Sequence, residues 1–143
     1  MQFSTKGRYA LRLMIDLAMH SGGAAIPLKD VAARQNISVK YLEQIITPLS
    51  RAGLVQSVRG AGGGYRLAQP ACTCTAGEIL RVTEGSLAPI ACLVNDTNCC
   101  DRQGTCSTLG FWQGMQRVVE QYADGITLED LAKTVVQSDD YCI

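Results

Sequence analysis

Apolar residues recur every three or four positions in three stretches of the first half of the chain. The stretches are residues 4–21, 26–35 and 36–53, and this spacing predicts three amphipathic helices. The side chains predicted to face a common core are Ala10, Leu13, Met14, Leu17 and Ala18 in the first stretch, Leu28, Val31 and Ala32 in the second, and Leu42, Ile45, Ile46 and Leu49 in the third.

Capping and breaking residues predict where these helices begin and end. Ser4 or Thr5 can cap the first helix, the glycine pair at 22–23 ends it, and Ser38 can cap the third. We expect a kink or a break near Thr47 because the following residue is Pro48, which has no backbone N–H.

Alternation of apolar and polar residues replaces the helical period after residue 53. It predicts a strand at 54–58, a glycine-rich turn at 60–64 and a second strand at 65–68. Two short helices followed by a hairpin predict a winged helix-turn-helix, with the helix-turn-helix at about 28–51 and the wing at about 54–68. A nucleotide-binding phosphate loop is disfavoured, because the glycines join two strands and no Lys-Ser/Thr pair follows them.

The outward side of this unit carries residue types that suit DNA. The second helix of a helix-turn-helix can enter the major groove, and the wing can reach an electronegative minor groove. The candidate DNA-binding residues are Ser38, Lys40, Tyr41, Glu43 and Gln44 at the start of the third helix, and Arg59 and Gly60 at the bend of the wing.

The second half predicts three more helices and a loop, so the chain is mainly α with one small hairpin. Thr75 and Glu78 form a capping box, and Thr127 can cap the last helix. Between them, residues 107–125 form a long apolar helix that is expected to pack against its copy in a second subunit. Its apolar stripe consists of Leu109, Trp112, Met115, Val119 and Tyr122. We therefore divide the chain into a DNA-binding domain, 1–70, and a cysteine-loop and dimerisation region with a C-terminal tail, 71–143.

The charges are unevenly distributed although the net charge is zero. Residues 1–70 hold nine Lys/Arg and three Asp/Glu, whereas residues 71–143 hold four and ten. A basic half joined to an acidic half predicts a polyanionic partner for the first half alone.

Four of the seven cysteines lie within residues 91–106. Residues 2–10 lack the apolar run of a leader peptide, and no stretch approaches the roughly 20 apolar residues of a membrane span. We therefore expect a cytoplasmic protein with no membrane partner, in which clustered thiols bind metal or sense redox state. Cys72 and Cys74 are expected on one side of an extended segment, where packing is favoured over ligation.

Two kinds of site remain open for the loop, and catalysis is disfavoured. Four thiols could hold zinc or act as a thiol–disulfide switch, although the adjacent Cys99 and Cys100 make awkward tetrahedral ligands. The chain has no histidine beside a cysteine, no evident acid–base pair of carboxylates and no cofactor fingerprint, so an enzyme is not expected.

The chain resembles the bacterial winged-helix regulators of the IscR/CymR type along nearly its whole length. The resemblance is strongest in the segments "STKGRYAL", "YLEQIITPLSRAGLVQSVRGAGGGYRL" and "TAGEILRVTEG". The resemblance implies a homodimeric transcription factor, in which the helix starting at Ser38 contacts the major groove of an operator and Arg59 contacts the minor groove. Glu43 matches a position at which iron–sulfur members discriminate operator classes.

The resemblance also implies an iron–sulfur cluster, 2Fe–2S rather than 4Fe–4S, held by Cys92, Cys100 and Cys106. Cys99 is the alternative to Cys100. Family members complete the ligand set with a histidine three residues after the last cysteine or with an acid near position 8. This chain has Leu109 and Arg8 at those positions. The fourth ligand therefore stays open among Cys99, a partner residue, a hydroxyl such as that of Ser107, and a small molecule.

The tail "SDDYCI" is similar to the ends of the cysteine metabolism repressor and of serine acetyltransferase. The resemblance implies cysteine synthase as a further partner, with the carboxylate of Ile143 entering its active site. The resemblance therefore leaves three functions open: a repressor that senses cluster status, a cluster-free thiol or zinc switch, and a cysteine-metabolism repressor.

Overall fold

The computed structural model describes residues 1–139, and the side chains of residues 1–135. Its helices and strands are α1 (Thr5–His20), α2 (Leu28–Gln35), α3 (Val39–Arg51), β1 (Val55–Val58), β2 (Gly64–Leu67), α4 (Ala76–Glu84), α5 (Leu109–Gly125) and α6 (Leu128–Asp139), with single 3-10 turns at Ala71–Thr73 and Ala91–Leu93. The predicted mainly α class with one small hairpin is confirmed.

The first three helices pack around the core that the helical period predicts. Leu13, Met14 and Leu17 of α1 and Leu42 and Ile45 of α3 are fully buried. Ile79 of α4 and Leu128 of α6 join the same core. The second half of the chain therefore packs directly on the helix-turn-helix.

Local capping shapes the turn between α2 and α3. Asn36 adopts the left-handed conformation, with φ 54°, and ends α2. Two residues later the Ser38 hydroxyl accepts the backbone N–H of Tyr41 at 3.1 Å and opens α3. Ile37 lies between them and is buried, which holds the turn on the core.

Of the kink or break predicted near Thr47, the break does not occur, because α3 continues through Pro48 to Arg51. Proline removes one backbone hydrogen bond, whereas the buried Ile45, Ile46 and Leu49 anchor both sides of it on the core. Burial of the apolar face therefore outweighs the local preference.

The wing is tied to the chain in front of α2. Strands β1 and β2 pair antiparallel from Val55 with Leu67 to Val58 with Gly64. Ile26 adds a bridge, in which the backbone N–H groups of Ile26 and Tyr65 each donate to the other's carbonyl at 2.8 Å. Gly64 is required beside this bridge, because any Cβ there would collide with the Ile26 carbonyl.

Residues 71–76 depart from the extended conformation predicted around the two cysteines. Ala71–Thr73 forms a 3-10 turn after Pro70, which places Cys72 at the surface and buries Cys74. The expectation that both thiols lie on one side is wrong, although packing does explain Cys74. A bridge between Thr75 and Thr127 then brings the start of α6 beside the start of α4.

Helix α5 is the least covered helix of the fold. Ala123 is its only buried residue, while Phe111, Val118 and Tyr122 are 62 %, 66 % and 73 % exposed. Its last turns are held to α4 by Arg81, whose Nη1 and Nη2 donate to the Asp124 carboxylate at 2.6 and 2.9 Å. The remaining apolar face of α5 has no cover within the described part of the chain.

No helix among residues 1–139 is long and apolar enough to cross a membrane.

A buried carboxylate joins α1 to α2. Asp16 is 1 % exposed, and its oxygens accept Nε and Nη2 of Arg34 at 3.0 and 2.6 Å and Nε2 of Gln35 at 3.0 Å. Hydrogen bonding to Asp16 raises the pKa of the Arg34 guanidinium. A paired and fully hydrogen-bonded charge is tolerated inside a core, whereas an unpaired one is costly.

Asp16→Ala should lower the free energy of unfolding by about 2–3 kcal/mol, since it removes three hydrogen bonds and leaves Arg34 without its partner. Urea unfolding at fixed protein concentration measures the loss. Glu129→Ala is the matched control, because its carboxylate pairs with Lys133 at 3.8 Å on an exposed face. That control should cost less than about 1 kcal/mol. Equal losses in the two variants would contradict the assignment of Asp16.

Cys74 should make the stability of the fold depend on alkaline pH. Burial, with a smaller effect of Glu78, raises the pKa of its thiol from 9.0 to about 11. The unfolded chain therefore releases this proton first, so the contribution is fully present below pH 9 and is lost as pH rises towards 11.

The unfolding free energy of the unaltered protein should therefore fall more steeply over this range than that of Cys74→Ala. Cys72→Ala is the control and should follow the unaltered protein, since Cys72 is exposed. Parallel curves for all three proteins would show that Cys74 does not contribute.

Candidate DNA-binding surface and cysteine loop

The first turns of α3 present a polar, exposed surface. Lys40, Glu43 and Gln44 are exposed on α3. The hydroxyl of Ser38 accepts the Tyr41 N–H as the helix cap, and its own proton remains available for donation. The surface therefore combines a cation, an acceptor and an amide that can meet base edges.

Tyr41 is only partly exposed, because its ring packs on α1. The rings of Tyr41 and Tyr9 meet edge to face, with 5.7 Å between centroids. Cζ of Arg12 lies 5.0 Å, and that of Arg8 6.0 Å, from the centroid of Tyr9. This aromatic contact joins the start of the candidate recognition helix to two arginines of α1.

The sequence analysis did not select Arg8, Tyr9 or Arg12. A signal for them was present, since two arginines four residues apart with an aromatic residue between them share one side of a helix. Their proximity to Tyr41 depends on how α1 crosses α3, which the local pattern does not show.

Arg12 also contacts the end of α2. Its Nε donates to Oε1 of Gln35 at 3.1 Å, and its Nη2 donates to the Gln35 carbonyl. Gln35 is the last residue of α2 and in turn donates to Asp16. One connected set of polar contacts therefore runs from the buried carboxylate to the turn that precedes α3.

At the wing, Arg59 follows the last residue of β1 and is exposed. Gly60 has φ 98°, and its carbonyl accepts the N–H of Gly63 at 2.9 Å to close the turn. No carboxylate in the described part of the chain pairs with Arg59. Its charge is therefore unneutralised at the tip of the hairpin.

The cysteine loop runs from the turn at Ala91–Leu93 to the start of α5. Two tight turns shape it, in which the N–H of Gln103 donates to the Cys100 carbonyl at 3.1 Å and that of Thr105 to the Arg102 carbonyl at 2.9 Å. The N–H of Cys100 donates to Oδ1 of Asn98 at 2.9 Å. Local turns thus define the path of the loop up to the N-terminal end of α5.

Neighbouring groups shift the pKa of two thiols of the loop. Desolvation raises the pKa of Cys92, and the nearby Cys100 and Cys106 thiols add to this rise. The Thr108 hydroxyl lies 3.5 Å from the Cys106 sulfur and lowers the pKa of Cys106. The backbone N–H groups at the start of α5 and the charge of Arg102 lower it further. The thiol of Cys99 instead faces the Thr97 carbonyl at 3.7 Å.

The donor chemistry of the loop fits iron, although the loop is not arranged around a single ion. Thiolates are soft ligands that favour iron–sulfur clusters and zinc. Among residues 1–139 no three His, Cys, Asp or Glu side chains already surround one metal position. A hollow of about 260 Å³ lies beside Cys92, Cys99 and Cys100. The loop therefore offers the ligands and space, and a bound group would draw the thiols closer.

The other candidate ligands lie elsewhere. His20 is exposed at the last position of α1, and Leu109, at the first position of α5, cannot bind metal. The hydroxyl of Thr108, a residue that was not predicted as a ligand, lies 3.5 Å from the Cys106 sulfur. In the described part of the chain no hydrogen bond joins the Ser107 hydroxyl to a thiol. Tyr141–Ile143 lie outside the described residues.

Comparisons with known proteins agree along nearly the whole chain. A family model described as Rrf2, an iron-dependent transcriptional regulator, matches residues 3–134. The regulator CymR of Bacillus subtilis is 43 % identical over 132 residues, covering 92 % of this chain and 90 % of CymR. The regulator IscR of Vibrio vulnificus is 38 % identical over 131 residues, covering 92 % and 77 %.

Solved structures show the same two kinds of regulator. The structure of CymR, the global cysteine regulator of B. subtilis, has a TM-score of 0.76 at 41 % identity and covers 94 % of this chain and 98 % of that one. The structure of IscR from T. potens has a TM-score of 0.74 at 38 % identity, with 94 % and 88 % covered. These relatives are transcriptional regulators rather than enzymes.

Proposed function

Because the chain belongs to the Rrf2 family of transcriptional regulators, we propose that it is a homodimeric repressor acting in the cytoplasm. An iron–sulfur cluster in its cysteine loop sets its affinity for operators of iron–sulfur assembly genes or of sulfur and cysteine genes. The observation that carries this proposal is the position of Cys92 and Cys100 beside one hollow and of Cys106 directly before α5, the helix with the uncovered apolar face.

DNA contact is assigned to α3 and the wing. Lys40, Glu43 and Gln44, with Ser38 and Tyr41 beside them, contact the major groove, where hydrogen-bonding groups of the bases are distinguishable. Arg59 and Gly60 contact the adjacent minor groove, where a narrow groove concentrates negative potential. The unpaired charge of Arg59 supports this assignment.

A second copy of the chain is the proposed cover of α5. A groove of about 470 Å³ between α1, α4, α5 and α6 is lined by apolar side chains, including Leu11, Leu80, Val119 and Leu131. Exposed apolar surface of this kind is typical of subunit interfaces. Two-fold packing here would repeat the recognition helix at the spacing of a two-fold operator, about 34–36 Å.

The cluster is assigned to Cys92, Cys100 and Cys106, as a 2Fe–2S rather than a 4Fe–4S group. When bound, such a cluster supplies a redox-active link whose loss alters the loop. The lowered pKa of Cys106 favours its thiolate, which is the form that binds iron. The fourth ligand comes from outside this trio, and its weaker hold suits a sensor that must release its cluster.

The loop can influence DNA binding through α5. Cys106 lies two residues before the N-cap of α5, Thr108, and a ligand there constrains the first turn of the helix. The Arg81–Asp124 pair joins the other end of α5 to α4, which packs on α1 and α3. A change at the loop therefore alters the interface between subunits and with it the spacing of the two recognition helices.

Two alternative functions have specific support. The hollow that Cys92, Cys99 and Cys100 line together favours a thiol switch or a zinc site without a cluster. The 43 % identity to CymR favours a cysteine-metabolism repressor that binds cysteine synthase, although the tail proposed for that contact lies outside the described residues. Anaerobic purification followed by iron, sulfide and zinc analysis separates the cluster from the zinc and thiol alternatives.

Arg59→Ala should weaken operator binding roughly fivefold or more, because loss of an arginine contact to DNA costs about 1–3 kcal/mol and a narrow minor groove attracts arginine. Fluorescence anisotropy with a duplex selected from a random pool by the unaltered protein measures this. The loss should shrink when G·C pairs widen the groove under the wing. Lys133→Ala, which removes an exposed cation from α6, is the control, and isotherms of Arg59→Ala that coincide with those of the unaltered protein would refute the assignment.

Replacing Cys92, Cys100 and Cys106 together by Ala should abolish iron binding while leaving a folded dimer. The loop is built from local turns, and α4 and α6 carry their own capping contacts. Iron and sulfide per chain, circular dichroism and gel filtration are the measurements. Cys72→Ala is the control and should retain iron. Unfolding of the triple variant would instead make the bound metal structural.

A further inference from the structure

Two arginines of α1 extend the basic surface beyond the helix-turn-helix and the wing. Arg8 and Arg12 lie one helical turn apart and are both exposed. Their Cζ atoms lie 6.0 and 5.0 Å from the centroid of the Tyr9 ring between them. Stacking on an aromatic ring orders the long arginine side chains, which reduces the entropy lost when they bind a ligand.

The Tyr9–Tyr41 contact places this pair beside the recognition helix. Tyr41 lies in the first turns of α3, and its ring meets Tyr9 edge to face at 5.7 Å. The two guanidinium groups therefore flank the N-terminal end of the helix that is assigned to the major groove. In such a position they face the backbone that borders the groove, rather than the base edges inside it.

The charges of Arg8 and Arg12 are not cancelled by nearby acids. No carboxylate in residues 1–135 forms an ion pair with either one. Asp16, one turn after Arg12, is paired with Arg34. Arg12 donates Nε and Nη2 to the neutral groups of Gln35, so several of its five N–H donors remain.

We propose that Arg8 and Arg12 bind phosphates of the DNA backbone that flank the base pairs contacted by α3, forming a third DNA contact in each protomer. The ligand is the phosphodiester anion, recognised by charge and not by base sequence. Arg12 has a second role as a positioning residue, because its bonds to Gln35 hold the end of α2 and the turn that leads into α3. The proposal rests on the function proposed above.

The salt dependence of binding tests this proposal directly. Each phosphate contact contributes about 0.9 to the slope of log K against log salt, so removal of one contact per protomer should lower the slope by about 2 in a dimer. Arg8→Gln is the principal variant, because Arg8 makes no hydrogen bond that the fold needs. The probe is a duplex selected from a random pool by the unaltered protein, titrated from about 50 to 200 mM salt.

Over that range the unaltered protein should lose roughly tenfold more affinity than Arg8→Gln. The order of preference among single-base variants of the duplex should be the same for both proteins. Arg8→Lys should restore most of the slope, since it restores the charge. Lys133→Gln removes a cation from α6 and should leave the slope unchanged.

Arg12→Gln should lower the slope and also alter base preference, because it removes a phosphate ligand and a support of the α2–α3 turn. An unchanged slope in Arg8→Gln, or a changed base preference in that variant, would overturn the proposal. Failure of the unaltered protein to select any duplex would instead refute DNA binding itself. The two failures are therefore distinguishable.

Discussion

The buried carboxylate of Asp16 is the interaction on which the geometry of the helix-turn-helix half depends. A charge at 1 % exposure persists inside a core only if its hydrogen bonds are satisfied, and here Arg34 and Gln35 satisfy them. Both partners lie in the last turn of α2, so α1 and α2 can pack together in only one register. Because Gln35 also accepts two hydrogen bonds from Arg12, the constraint reaches Tyr9 and, through it, Tyr41 on α3. One buried charge thus orients α3, the helix proposed to contact DNA.

Much of this half could be predicted from the sequence, because burial and local preference agree there. The inward positions of α3, the cap at Ser38 and the hairpin at 55–67 are all visible in short windows of sequence. Local preference is a poor guide where tertiary contact outweighs it. Pro48 stays inside α3 because apolar side chains on both sides of it are buried, and Cys72 and Cys74 separate because a 3-10 turn follows Pro70. The contact between Tyr9 and Tyr41 spans 32 positions of sequence and has no local signal.

The cysteine loop could be located from the sequence, whereas its chemistry depends on surroundings that spacing does not show. Cys99 and Cys100 are adjacent, yet Cys100 contributes to the raised pKa of Cys92, while the thiol of Cys99 faces the Thr97 carbonyl. The Thr108 hydroxyl and the first N–H groups of α5 lower the pKa of Cys106, because they stabilise the thiolate. A cysteine at the start of a helix is thus suited to metal binding in a way that a count of intervening residues does not reveal.

The two halves of the chain share one core, so the signal proposed to start at the loop would have to reach DNA through that packing. Ile79 and Leu128 lie in the same core as the helices of the DNA-binding half, so α4 and α6 do not move as a separate body. A Cβ atom at Gly77 of α4 would collide with the Asp124 carboxylate. Because glycine has none, α5 approaches α4 closely enough for Arg81 and Asp124 to form a bidentate pair. The C-terminal end of α5 is therefore fixed to the core, whereas its N-terminal end carries Cys106 and an uncovered apolar face. A constraint applied at the loop consequently acts on the free end of α5, and the subunit interface proposed there is the element that responds.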